Sequence, residues 1–132
     1  MRIAMLAAAF ALCGCAARTG TNMGYADPQA KAEPPTPHAE PVCMLRAPLP
    51  SNIKHKVVGR VESSKQWYGS TDGIITNMAA EARRVGADAV VGMQAGQSIG
   101  FFAWARPVGY GMGVKLENRA DLDCLKLGGE YR

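Results

Sequence analysis

Between residues 70 and 86 apolar side chains recur at helical spacing. Ile74, Ile75, Met78, Ala79, Ala82 and Val85 fall on one side, with Thr76, Asn77, Ala80, Glu81, Arg83 and Arg84 on the other. The pattern predicts an amphipathic helix. Thr71 or Asp72 can cap its start, and the basic pair Arg83 and Arg84 suits the negative end of the helix dipole. Gly86 stands where a left-handed residue is wanted to close a helix. Ala87 to Met93 is then a short, nearly unbroken apolar run, the pattern of a strand covered on both faces.

Shorter patterns flank this unit. Val42 to Leu45 predicts a brief strand stopped by Pro48 and Pro50. From His55 to Ser63 the chain alternates, Val57, Gly59 and Val61 against Lys56, Arg60 and Glu62, as in a half-exposed strand. Trp67, Tyr68 and Gly69 lead by a loop into the helix. After Met93 a turn-rich stretch, Gln94 to Gly100, precedes Phe101, Phe102, Ala103, Trp104, Ala105, Arg106 and Pro107. Val108, Tyr110, Met112, Val114 and Leu116 then share one face of a strand, opposite Gly109, Gly111, Gly113 and Lys115. A glycine stripe of this kind marks close approach by another backbone, here expected to be the helix. Glu117 and Asn118 read as a turn, and Leu122 to Leu127 as a last short strand. The expected fold is α+β: a small antiparallel-rich sheet of about four to five strands, with one main amphipathic helix packed on it, over residues 41–132.

The first residues read differently. Arg2 supplies a positive start and Ile3 to Leu12 an apolar stretch too short to span a bilayer as a mature helix. It ends in Leu12, Cys13, Gly14 and Cys15, which resembles the lipobox of bacterial lipoprotein signal peptides, with Cys15 the residue that receives lipid, palmitate included. Residues 1–15 are thus expected to be a lipoprotein signal peptide; ordinary cleavage beside an unmodified Cys15 is the alternative. Ala16 stands where Asp often retains Gram-negative lipoproteins at the inner membrane, so the resemblance implies the outer membrane. Residues 16–40 lack apolar periodicity and carry Pro28, Pro34, Pro35 and Pro37, which predicts a Pro-rich disordered tether.

Charge and reactive residues narrow the function classes. The net charge of +4 is spread over Lys54, Lys56, Arg60, Arg83, Arg84 and Arg106. Export excludes nucleic acid as a partner, while weak attraction to anionic lipid or lipopolysaccharide is allowed. With Cys13 removed and Cys15 lipidated, Cys43 and Cys124 are left as a pair, which in an oxidising compartment reads as a disulfide; two unpaired buried thiols are the alternative. Possible metal ligands are His38, His55, Cys43 and Cys124. Without Cys-x-x-Cys, His-x-x-x-His or clustered carboxylates, no metal site and no cofactor is expected. No catalytic signature occurs, and Gly109, Gly111 and Gly113 lie within a strand pattern, so they read as packing glycines and not as a phosphate loop. The chain is not expected to be an enzyme. Phe101, Phe102 and Trp104, with Arg106 beside them, are the candidate partner-contact surface; completion of the small core is the competing role.

Lys56 to Val61 on a strand, the capped helix, the Gly86-Ala-Asp-Ala-Val-Val-Gly segment and the segment Phe101 to Pro107 together resemble one superfamily. It includes small domains labelled as heavy-metal-binding and the envelope stress-sensor lipoprotein of the Rcs phosphorelay. The resemblance covers Val57 to Leu116 and implies an α+β domain with one main helix; it transfers no ligand. The function expected is that of an outer-membrane-anchored, periplasm-facing interaction or sensing module with an envelope protein partner. The alternatives are an envelope-tethered domain binding a metal or small molecule, and an oligomeric structural module.

Overall fold

The computed structural model describes residues 17–22, 35–101 and 103–132. In chain order its elements are β1 (Arg18–Asn22), β2 (Cys43–Met44), β3 (His55–Ser64), α1 (Thr71–Arg84), β4 (Ala89–Ser98), β5 (Arg106–Leu116) and β6 (Glu130–Tyr131). The strands form one sheet in the order β1-β3-β5-β4-β2-β6. Four pairings are antiparallel and that of β2 with β4 is parallel. The α+β class with one main helix therefore holds, but the sheet is mixed and has six strands where about four to five were expected.

The helix begins one residue earlier than its expected caps. Ser70 is the N-cap, its Oγ accepting from the Gly73 amide at 3.2 Å. Gly86 takes a φ of 78° after the last turn, the left-handed geometry expected there. Ile74, Ile75, Met78, Ala79 and Ala82 are buried as the periodicity requires, and pack with Val58, Val61, Val90 and Met93. Glu81 is buried too, although the pattern placed it on the outer side.

The glycine stripe meets more than the helix. A Cβ on Gly109 would lie 2.7 Å from Ile74 Cγ2 and 2.8 Å from Met78 Sδ of α1, but one on Gly111 would meet Val90 and Met93 of β4. β4 is longer than the apolar run: the stretch read as turn-rich continues the strand to Ser98. A bulge between Val91 and Gln94, where Gly92 has a φ of 59°, absorbs the irregularity. A second bulge between Val57 and Gly59 turns Val57 to the face opposite Val61, against the simple alternation. On that far face Leu45, Ala89, Val114 and Leu116 form a second apolar cluster, covered by Ile53, Leu122 and the Cys43–Cys124 disulfide.

Two expectations about the chain ends are corrected. Leu122 to Leu127 is not a strand: a 3-10 turn (Arg119–Asp121) and a second turn precede β6, which is only two residues long. Residues 16–40 are not wholly an unstructured tether. Arg18–Asn22 forms the edge strand β1 against β3, and His38 donates its amide to Arg83 O at 3.1 Å. Thr19 and Thr21 explain the docking of β1. Thr19 shares a 2.8 Å hydrogen bond with Ser63, and Thr21 donates to Glu81 Oε1 at 2.7 Å. Residues 1–16, 23–34 and 102 lie outside the description, and with them the signal segment, Cys15, Phe102 and the middle of the expected tether.

Candidate functional site

The β4–β5 hairpin ends in a short tip, residues 99–105, that is apolar and turned outward. Gly100 donates its amide to Ala103 O at 2.8 Å, and Ala103 is buried beneath the turn. Ile99, Phe101 and Trp104 are left exposed, Phe101 at 98% and Trp104 at 83% of their full accessible surface. Core completion, the competing role for these rings, is thereby excluded for Phe101 and Trp104.

The loop between β3 and α1 is tied to the base of this hairpin. Lys65 donates its amide to Pro107 O at 3.1 Å, Gln97 Nε2 donates to Gly69 O at 3.2 Å, and Trp104 donates its amide to Tyr68 Oη at 3.4 Å. Trp67 and Tyr68, both exposed, therefore extend the apolar surface begun by the tip. Sequence reasoning gave these two rings no role. Their signal was an aromatic pair beside Gly69 in a segment with no apolar periodicity to bury it. Arg106, at the first position of β5, is half-buried; its side chain lies so near Gly100 that a Cβ there would come within 2.5 Å of Cδ.

Beside Arg106 the sheet face turned away from α1 holds a concavity of about 560 Å³ whose lining includes Arg18, Arg60, Glu62, Arg106 and Tyr110. Arg60 lies over the Tyr110 ring at 4.4 Å from its centroid and pairs with Glu62 at 2.5 Å. Tyr110 Oη donates to Gln94 Oε1 at 2.7 Å. Three arginines against one carboxylate make this hollow a positive surface.

A second polar cluster lies at the other end of the sheet. The Asp88 carboxylate is fully buried and accepts from Leu116 N at 3.0 Å and Lys115 Nζ at 3.0 Å. Arg119 Nη1 stands 3.3 Å away and His38 Nε2 3.5 Å away, the latter also bonded to Ala87 O at 2.8 Å. Arg119 in turn holds Glu40 and Pro41 O. The cluster thus joins the start of β4, the end of β5, the 3-10 turn and the segment before β2. A carboxylate so enclosed has no surface for a substrate, and its chemistry is that of a structural tie. Asp88 stood in the quoted Gly86-Ala-Asp-Ala segment without a role, although an acid inside an otherwise apolar strand is the signal for such a tie.

The remaining candidate residues are dispersed. Cys43 and Cys124 are bonded to each other, with Cα atoms 5.8 Å apart, and both are buried. Cys124 lies in the turn before β6, not in a last strand, and β6 is the strand beside Cys43. His55 is exposed, its Nδ1 against Ile53 O at 2.9 Å. Among the described residues no group of three or more His, Cys, Asp or Glu is placed to hold a metal ion. Near β1, Glu81 accepts a two-pronged contact from Arg84, both at 2.7 Å. That contact, aided by Thr21 and opposed by burial, holds the Glu81 carboxyl below its ordinary pKa. Compared with models of known protein families, with curated proteins and with solved structures, the chain matches none.

Proposed function

We propose that this chain is a lipoprotein of the bacterial outer membrane, held by lipid on Cys15 and facing the periplasm. Its domain acts as an interaction or sensing module, not an enzyme, and the aromatic hairpin end is its contact element. The observation that carries the reading is the exposure of Phe101 and Trp104 at a hairpin tip whose turn is fixed from below by buried Ala103. Large rings held out by a rigid scaffold cost solubility without adding to the core, which favours a role in contact.

The test is Trp104→Ala in the full chain. A contact residue leaves the melting temperature within a few degrees of the parent and abolishes crosslinking in intact envelopes. A collapse of the melting temperature would place the ring in the core and overturn the reading.

The alternative of an envelope-tethered ligand-binding domain is favoured by one observation, the positive concavity containing Arg18, Arg60, Arg106 and Tyr110. Such a hollow suits an anionic small molecule that stacks on the Tyr110–Arg60 pair. Isothermal titration with inorganic phosphate and with a sugar phosphate tests it, and no heat from either would remove it.

A further inference from the structure

We infer that the aromatic hairpin end rests on the anionic lipid surface of the membrane that carries the anchor. The inference deepens the proposed function and depends on its reading of Cys15 as the lipid-bearing residue. Strand register supplies the first ground. Arg18 pairs with Ser64, Ser64 with Val108, and Val108 with Gly96, so these four lie in one row across the sheet. Beyond this row, on the same side, lie Ala17, the Lys65–Gly69 loop and the hairpin tip. The chain therefore enters the domain at the end where the rings are exposed.

Reach supplies the second ground. Cys15 precedes Arg18 by three residues, so it stands no more than ~11 Å from it along the chain. The residues between β1 and the segment at Pro35 add no length to the anchor, because β1 is already docked in the sheet. From β1 to β4 is three strand spacings, or ~14 Å. A lipid on Cys15 thus keeps the aromatic end within ~25 Å of the anchor point, close enough for the rings to reach the headgroups.

Chemistry supplies the third. Tryptophan and tyrosine favour the membrane interface, where an apolar ring body meets a wet polar edge. Lys65 and Arg106 flank the loop and the tip, Arg18 lies farther along the same end of the sheet, and among the described residues none of the three is ion-paired. The nearby acids are already engaged, Glu62 by Arg60 and Asp72 by Arg132. An exposed aromatic surface ringed by unpaired cations complements lipid phosphates.

The chain's two tryptophans, Trp67 and Trp104, both belong to this end, so its intrinsic tryptophan fluorescence reports on nothing else. The full acylated chain, its lipid verified by mass spectrometry, is placed in phosphatidylcholine vesicles containing one quarter phosphatidylglycerol. The expected result is quenching by lipids brominated near the headgroup, weaker quenching by lipids brominated deep in the chains, and loss of most of the effect in Trp104→Phe. Lys65→Glu combined with Arg18→Glu should weaken the quenching while leaving the melting temperature within a few degrees of the parent. Emission equal in brominated and plain vesicles, from protein shown to be acylated, overturns the membrane contact and leaves the anchor standing. A mature N-terminus without acyl chains on Cys15 overturns the anchor, and this inference with it.

Discussion

Replacing Asp88 by Ala removes the one carboxylate on which four parts of the chain converge. The Leu116 amide, which donates to it at 3.0 Å in the interior, is left unpaired, at a cost of about 1–3 kcal/mol. Lys115 and Arg119 also lose their counter-ion, but their side chains are 40% and 33% exposed. Water replaces much of that loss, so each contributes at most ~1 kcal/mol. The sum is about 1–5 kcal/mol, set against the ~5–15 kcal/mol that holds a domain folded. At ~4–8 °C per kcal/mol for a domain of this size, the melting temperature should fall by ~4 °C at the least. Asp88→Asn keeps an acceptor for Leu116 and should cost roughly half as much, on the order of 1–3 kcal/mol. Urea unfolding followed by circular dichroism measures both variants. An Asp88→Ala protein within ~0.5 kcal/mol of the parent, inside the range of ordinary surface changes, would refute the structural tie.

Three further outcomes follow from the packing. Gly109→Val drives new methyl groups towards Ile74 and Met78, where even a Cβ comes within 2.8 Å; a loss of ~1–3 kcal/mol is expected in the same assay, and an unchanged midpoint would contradict the close approach. Changing both Cys43 and Cys124 to Ala opens a loop with a sequence separation of 81 and should cost ~4–5 kcal/mol on chain-entropy grounds, whereas an unchanged midpoint would show that the bond adds nothing. The Glu81 carboxyl, depressed mainly by the hydrogen bonds from Arg84, contributes stability that is present above its ordinary 4.5 and is lost as pH falls through the lowered folded value. The stability difference between parent and Glu81→Gln should therefore be full at pH 7 and shrink below pH 4.5; a constant difference would contradict the assignment.

What the sequence disclosed was what periodicity carries. The α1 stripe, the doubly covered start of β4 and the glycine face of β5 follow from side chains that repeat at 3.6 or 2 residues, and each is present. β1 was invisible for the opposite reason. Arg-Thr-Gly-Thr-Asn has no apolar face, and it becomes a strand because an edge of β3 stands open, Thr19 hydrogen-bonds with Ser63 and Thr21 donates to Glu81. β6, two residues long, is likewise set by its neighbour β2. The bulges at Gly92 and after Val57 reset which side chains face the helix, and no local pattern announces them. Phe101 and Trp104 were legible as a cluster but not as exposed, because apolar content alone does not separate a core ring from a contact ring. Their exposure is settled by the fold of the tip, which buries Ala103 and leaves both rings in solvent.

The proposed role rests on an anchored domain making its contacts through the aromatic hairpin end. Its most direct test is a photo-crosslinking side chain placed at residue 104, and separately at residue 54 at the opposite end of the sheet, in the full chain within intact envelopes. Adducts are expected from position 104 and none from the exposed position 54. No adduct at 104, or equal labelling from both positions, would contradict it.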